Sequence, residues 1–144
     1  MIEEEGMKTR VEYMGKRKFK IKVRDFEVIT DLPEDKGGED SSPTPTELFM
    51  GSFAACVALY AVNYINTAKL DPKGFAIDMD WDFSEDRPRR VEHCSFVINV
   101  PNSELGQREK AVKAAAEKCV IHNTLHNPPQ VTFEIEGKKG ETDG

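Results

Sequence analysis

The cysteines are the residues of this chain whose types and positions could do the most chemistry. Cys56 lies inside a run without any charged residue, 48–68, and Cys119 lies near the end of a second helical pattern. A thiolate is a nucleophile and a metal ligand, and two thiols that lie close together can form a disulfide. Cysteine is also among the most often buried residue types, so composition alone leaves a structural role open for both.

Two histidines follow Cys119 at spacings that metal sites also use. The pattern is Cys119-x-x-His122, followed by His122-x-x-x-His126. Side chains at such spacings on one helix face can bind zinc. However, Asn123, Asn127 and Pro128 indicate that the helix frays in this segment, which would spoil the geometry. We therefore expect polar histidines at a helix end and no metal site.

The third cysteine belongs to a segment with the pattern of a strand. In the stretch VEHCSFVINV, Cys94 shares one face with Phe96 and Ile98, whereas His93 and Ser95 lie on the other. Alternation of this kind is typical of a strand with one buried face. Cys94 is therefore predicted to be a small core hydrophobe.

The bulk composition indicates one ordinary globular domain. The chain has 144 residues, of which 38% are hydrophobic and 32% are charged, and its net charge is −6. We predict a single domain over 1–144, with flexible tails at 1–7 and 138–144. A negative charge disfavours nucleic acid as a partner. The acidic start lacks the features of a signal peptide, so we expect reduced thiols in the cytoplasm. The uncharged run 48–68 is about long enough to span a bilayer, but polar residues dilute it, so we expect a buried core helix and no membrane association.

The helix that carries Cys56 has a strong start signal. Thr44 suits the N-cap, Pro45 the first helical position and Glu47 the third, which together form a capping box. The helix is predicted to run to about Lys69. Because it is apolar on every face, it must be covered on all sides, and one small sheet cannot enclose it. We therefore expect a second copy of the chain to cover the remaining face.

Alternating segments on both sides of this helix predict strands. They are 9–14, 17–24, 26–30, 75–83, 91–100 and 130–137, and a second helix is predicted from Asn102 or Ser103 to about Ile121. The fold class is therefore α+β, in the order βββ-α-ββ-α-β, with two core helices packed on an antiparallel sheet.

Two motifs together resemble the OsmC/Ohr family, the thiol-dependent peroxidases that reduce organic hydroperoxides. The first is P-T-E-L-x₅-A-A-C, ending at Cys56, and the second is A-x-E-K-C-V-I-x-N-T-L around Cys119. The paired glycines Gly37 and Gly38 also fit this pattern. The resemblance implies an OsmC-like fold and an intertwined homodimer in which sheets from both subunits surround the two long helices.

The same resemblance implies a role for each site residue. Cys56 would be the peroxidatic thiol, Cys119 would form a disulfide with it, and an external dithiol would reduce the pair, without a bound cofactor. An arginine in the first turn and a glutamate at the helix start would activate Cys56, and Arg17 and Glu47 are the nearest candidates. The acid stands one position later than in the reductases, because Thr46 directly follows Pro45. Nine residues of ideal helix place Glu47 opposite Cys56, so Glu47 also suits the capping box alone.

The resemblance thus implies one leading function, and one alternative stays open. The leading function is reduction of organic hydroperoxides in oxidative-stress defence, and the apolar surroundings of Cys56 would favour an oily peroxide over hydrogen peroxide. The alternative is a redox-silent module with the same fold that binds a small hydrophobic ligand in the dimer cleft.

Overall fold

The structure, a computed structural model, describes residues 7–140. Its elements are β1 Thr9–Tyr13, β2 Phe19–Val23, β3 Phe26–Thr30, α1 Pro45–Thr67, β4 Ala76–Phe83, β5 Val91–Asn99, α2 Glu109–Ala116 and α3 Val120–His126. Short 3-10 turns occupy Glu34–Lys36 and Gly106–Arg108. Of the predicted flexible tails, 1–6 and 141–144 lie outside the described residues. Met7 and residues 138–140 are exposed and have no regular structure.

The strands form two separate antiparallel sheets. One has the order β1-β2-β3, and the other pairs β4 with β5. α1 packs against α2, α3 and β4. The predicted α+β class is confirmed, with the helices packed on the β4–β5 sheet.

α1 begins at the predicted cap. The Thr44 hydroxyl accepts a hydrogen bond from the Glu47 N–H, and the Glu47 carboxylate accepts one from the Thr44 N–H. This capping box satisfies N–H groups that have no partner within the helix. The helix ends at Thr67, two residues before the predicted end at Lys69.

The apolar core lies between α1, the C-terminal helices and the β4–β5 sheet. α1 buries about one residue per turn, and these are Met50, Phe53, Val57, Ala61 and Ile65. Across from them, Val112, Ala116 and Cys119 are buried. Side chains of the sheet cover this interface, including Ile77, Met79, Trp81, Phe96 and Ile98. Burial of each large side chain contributes about 1.5–3 kcal/mol.

The other face of α1 is open in the single chain. Leu59 is 66% exposed and Phe49 is 46% exposed. Gly51, Ser52 and Ala55, which belong to the same side, are also exposed. α1 is long and apolar enough to cross a membrane by length and composition, but the core helix of a soluble protein passes the same test. Because one face packs on the protein's own core, the structure favours a core helix.

The three-stranded sheet has one apolar face and one charged face. The register places Val11 opposite Ile21 and Tyr13 opposite Phe19 on one face, which continues through Val28 of β3. The alternating charges of β2 lie on the other face, as the sequence predicts. No strand of this sheet contributes to the apolar clusters found among residues 7–140. The apolar face is therefore left uncovered by the rest of the described chain.

The predicted second helix is wrong in its extent. In place of one helix over 102–121 there are two, because α2 ends at Ala116 and α3 begins at Val120. Ser103 does not cap a helix; its hydroxyl bonds the backbone of Asp71 instead. The expected fraying beyond Ile121 is also wrong, since α3 continues to His126.

The predicted last strand, 130–137, does not form in the single chain. The segment has no strand partner and is exposed throughout. Its alternate apolar residues Val131, Phe133 and Ile135 are 65%, 90% and 93% exposed. A strand needs a neighbour to accept and donate its backbone hydrogen bonds, and the described part of this chain supplies none here.

Candidate active site

Cys56 lies at the edge of the buried stripe of α1. Its side chain is half-buried and packs against the cluster formed by Met50, Phe53 and Val57. One turn further along α1, Tyr60 packs against the same cluster. The helix therefore places this thiol where apolar surroundings meet a partly accessible surface.

Cys119 is held at the break between α2 and α3. It adopts an extended backbone conformation at the N-cap of α3, and its Sγ accepts a hydrogen bond from the His122 N–H at 3.4 Å. Its side chain is completely buried. The break thus turns the sulfur into the core while a backbone donor contacts it.

The structure brings Cys56 and Cys119 together. Both side chains belong to one apolar cluster, and both are free thiols. The Cys119 thiol lies near enough to Cys56 for the two side chains to interact. Two cysteines on different elements, 63 positions apart in the sequence, are therefore neighbours in the fold.

Cys119 holds its proton strongly. Burial raises the pKa of the Cys119 thiol above its ordinary value, and interaction with the Cys56 side chain raises it further. The backbone N–H groups of His122 and Ile121 lower this pKa, but they do not outweigh the first two effects. Cys119 therefore stays protonated at neutral pH and can supply a proton.

Cys94 lies on β5, opposite Trp81 of β4. It is half-buried and packs against the same cluster, which agrees with the prediction of a small core residue. It also forms part of the wall of a cavity of about 470 Å³. The cavity is lined by Phe53, Val57, Phe96, Ile98, Leu125 and His122, among others.

In the single chain, the Glu47 carboxylate forms part of the capping box of α1. It accepts the Thr44 N–H at 2.9 Å. It lines an open groove with Gly51, Ser52 and Trp81, which Cys56 does not share. The chain therefore does not bring this predicted site residue to the thiols, in line with their separation around the helix.

Arg17 lies in the turn between β1 and β2, away from the cysteine pair. Its guanidinium packs against Gly37, where an added Cβ would stand 3.0 Å from the Arg17 Nε. Because the three-stranded sheet contributes nothing to the cluster around Cys56, Arg17 is not brought to the thiol within one chain. Its assignment to the site stays a prediction.

The two histidines of α3 are oriented by backbone carbonyls. The Nδ1 of His122 lies 3.0 Å from the Glu117 carbonyl oxygen, and the Nδ1 of His126 lies 3.0 Å from the His122 carbonyl oxygen. Since a carbonyl only accepts, each Nδ1 carries the proton. Within residues 7–140, no group of three or more His, Cys, Asp or Glu side chains is placed to hold a metal ion. The metal alternative thus gains no support from the geometry.

Comparison with known proteins decides the family. The sequence profile of the family described as OsmC-like protein matches residues 37–134. The chain belongs to this family. The matched region includes both cysteine motifs and the Gly37-Gly38 pair, so the resemblance inferred from these motifs is confirmed. No protein with a curated description matches this OsmC-like chain.

Solved structures share the OsmC-like fold. A protein from Psychrobacter arcticus 273-4 is 23% identical, with a TM-score of 0.74 over 85% of this chain and 91% of that one. The organic hydroperoxide resistance protein OsmC of Legionella pneumophila is 18% identical, with a TM-score of 0.64 over 82% and 88%. An organic hydroperoxide resistance protein of Elizabethkingia anophelis is 17% identical, with a TM-score of 0.67 over 89% and 93%. At such identities the likeness establishes the fold alone.

Proposed function

We propose that this OsmC-like chain is a thiol-dependent peroxidase that reduces organic hydroperoxides to alcohols in cytoplasmic oxidative-stress defence. The observation that carries the proposal is the pair of neighbouring thiols, Cys56 and Cys119, inside an apolar cluster. Membership of the family and the names of the Legionella and Elizabethkingia proteins support the same chemistry.

The proposed reaction has two steps. The Cys56 thiolate attacks the hydroperoxide oxygen that carries the hydrogen, the O–O bond breaks, and the RO⁻ fragment takes up a proton and leaves as the alcohol. Cys56 is thereby oxidised to a sulfenic acid. The Cys119 sulfur then displaces the sulfenic hydroxyl, which leaves as water with the Cys119 proton, and the S–S bond forms. An external dithiol reduces this disulfide by exchange, so the cycle needs no bound cofactor or metal.

The surroundings of Cys56 favour an apolar substrate. Phe53 and Tyr60 pack around the thiol, and Phe49 is partly exposed about two turns before Cys56 in α1. Burial of the organic part of a peroxide against such side chains is worth roughly 25 cal/mol per Å² of apolar surface. Hydrogen peroxide has no organic part and would gain none of this energy.

We also propose that the thiol is activated across a dimer interface. Cys56 lies several turns into α1, so the N-terminal helix dipole does not reach it. The partner subunit's Arg17 is the cation proposed to favour the thiolate. Only one Glu47 oxygen, Oε1, accepts the Thr44 N–H, which leaves the other available to orient that arginine.

Three open apolar surfaces support the homodimer. These are the apolar face of the β1–β3 sheet, the open face of α1 and the extended segment 130–137. Monomeric soluble proteins rarely expose large apolar patches. A second copy would cover the α1 face and supply an edge strand for segment 130–137, which would explain why this segment has no partner in one chain.

The dimer proposal predicts that Phe133→Asp weakens self-association at least about tenfold. Phe133 is 90% exposed in one chain, and burial of a phenylalanine is worth about 1.5–3 kcal/mol, which a charge would forfeit. Light scattering across a dilution series measures the change. Glu134→Gln, one position along on the other side of the extended segment, is the matched control and should dimerise normally. A monomeric wild type, or equal association of both variants, would contradict the proposal.

The proposed chemistry predicts one specific cross-link. One equivalent of cumene hydroperoxide added to reduced protein should yield a Cys56–Cys119 disulfide and leave Cys94 free, as read by mass spectrometry of peptides. With a small dithiol present, cumene hydroperoxide should be consumed faster than hydrogen peroxide. A disulfide that includes Cys94, or no oxidation at all, would speak against the assignment.

The cavity beside Cys94 favours one second candidate function. A space of about 470 Å³ with apolar walls could hold a small hydrophobic ligand, and the thiols would then be incidental. Protein with all thiols blocked should still bind an apolar fluorescent probe in that case. Failure of the unblocked protein to consume any organic hydroperoxide would favour this candidate over the peroxidase.

A further inference from the structure

Asp31 is a buried carboxylate with no part in the proposed reaction. Its side chain is inaccessible to solvent, and it accepts hydrogen bonds from the N–H groups of Leu32, Glu39 and Ser41. The Ser41 hydroxyl adds a fourth at 2.7 Å. These donors, of which the Ser41 hydroxyl has the largest effect, lower the pKa of Asp31 to about 2, so the carboxylate stays ionised at neutral pH.

These bonds close residues 31–41 into a tight loop. The Asp40 N–H donates to the Leu32 carbonyl at 2.9 Å, and the Asp31 N–H donates to the Pro43 carbonyl beside the start of α1. The chain passes so close at Gly38 that an added Cβ would stand 2.0 Å from the Leu32 oxygen. Only glycine fits there. The loop therefore has one well-defined path.

The loop holds the turn between β1 and β2 through Glu39. One carboxylate oxygen of Glu39 lies 2.7 Å from the Lys18 Nζ, and the other lies 3.4 Å from the Lys16 Nζ. Arg17 stands between these two lysines and packs against Gly37. Among residues 7–140 it has neither an ion pair nor a side-chain hydrogen bond. Of three consecutive cations, the middle one is thus left available.

We propose that Asp31 and Glu39 are positioning residues that present the Arg17 guanidinium to the Cys56 of a partner subunit. Asp31 fixes the backbone of Glu39, and Glu39 fixes the two lysines that flank Arg17. Because Glu39 forms ion pairs with both Lys16 and Lys18, neither lysine competes with Arg17 for an anion. This inference rests on the proposed role of Arg17 in ionising Cys56.

The test measures Cys56 directly, without relying on peroxidase turnover. Reduced full-length protein is treated with iodoacetamide across a pH series, and alkylation of Cys56 is followed by peptide mass spectrometry. Glu39→Gln should slow alkylation at pH 7 about threefold and move its pH profile upward, since exposed ion pairs have modest effects. Arg17→Gln should slow it more, and the double variant should be no slower than Arg17→Gln alone.

Two controls separate positioning from general damage to the fold. Glu27→Gln removes a comparable contact, to Lys20 at 3.7 Å on the same sheet, and should leave alkylation unchanged. Hydrogen exchange of the turn 14–18 should become faster in Glu39→Gln but not in Glu27→Gln. Asp31→Asn should act like Glu39→Gln, and the Glu39 variant keeps the test decisive if Asp31→Asn does not fold.

Each contrary outcome overturns a defined claim. Equal alkylation in Glu39→Gln and wild type would overturn the positioning role, as would an equal slowing by Glu39→Gln in the Arg17→Gln background. No effect of Arg17→Gln would also overturn it. If these effects appear in a protein that consumes no hydroperoxide, the positioning role stands and the proposed peroxidase function fails.

Discussion

Cys56→Ser should abolish hydroperoxide turnover, with a loss of at least about a thousandfold. The hydroxyl that replaces the thiol does not ionise near neutral pH and is a poor nucleophile towards peroxide oxygen. Serine has nearly the same shape, and Cys56 lies at the half-buried edge of the α1 stripe. The fold should therefore be retained. The loss is measured as dithiol-dependent consumption of cumene hydroperoxide.

Cys94→Ser is the matched control for this experiment. Cys94 packs against the same cluster and is similarly half-buried, but it takes no part in the proposed exchange. It should keep activity within about a factor of two, with a thermal midpoint close to that of Cys56→Ser. Unchanged turnover in Cys56→Ser would end the peroxidase proposal, and loss of turnover in Cys94→Ser would change the assignment of the reacting thiol.

Cys119→Ser should convert the catalytic cycle into a single burst. Cys56 can still attack one equivalent of hydroperoxide, but no second thiol is present to displace the sulfenic hydroxyl. Further peroxide would then oxidise Cys56 to the sulfinic acid, which small thiols do not reduce. Peptide mass spectrometry should show added oxygen on Cys56 in place of a disulfide.

The position of Cys119 allows serine to replace it with little effect on the local structure. Cys119 is the N-cap of α3 and accepts the His122 N–H, and serine is one of the best N-cap residues. The serine hydroxyl can therefore take over that bond, so α3 should keep its start. Cys119→Ala would leave the His122 N–H without this acceptor and is the poorer choice. Sustained turnover in Cys119→Ser with a small dithiol would show that Cys119 is dispensable.

Local signals predicted the fold well from β1 to β5. The Thr44–Glu47 capping box acts over one turn, and the alternation of apolar and charged residues in β2 and β4 depends only on the side of the strand each residue occupies. Such signals reside in the neighbouring residues themselves. They therefore locate α1 and five strands to within a few positions.

The part that follows β5 was predicted less well because its structure depends on distant contacts. No glycine or proline marks the break between Ala116 and Val120, and the turn of Cys119 into the core reflects packing against α1. Segment 130–137 has a clear strand pattern, but a strand also requires a neighbour, which one chain does not supply. Sequence alternation identifies such a segment without identifying its partner.

The candidate site, like the fold, was predicted only in part. The motifs around Cys56 and Cys119 indicated a functional pair, and the structure places the two side chains in one cluster. Helical geometry correctly placed Glu47 away from Cys56 within the chain. Asp31 and Glu39 carried no motif, since their relation to Arg17 appears only after the loop and the turn have folded together.

The open apolar face of the β1–β3 sheet has a consequence for tolerance to mutation. In one chain, Val11, Tyr13 and Val28 resemble surface positions, where most substitutions change stability little. In the proposed assembly they would be interior positions. Because a symmetric dimer contains two copies of the chain, each substitution would also occur twice in the assembly. Substitutions on this face should therefore be tolerated as poorly as substitutions of the buried Phe53, although solvent exposure in the isolated chain suggests the opposite.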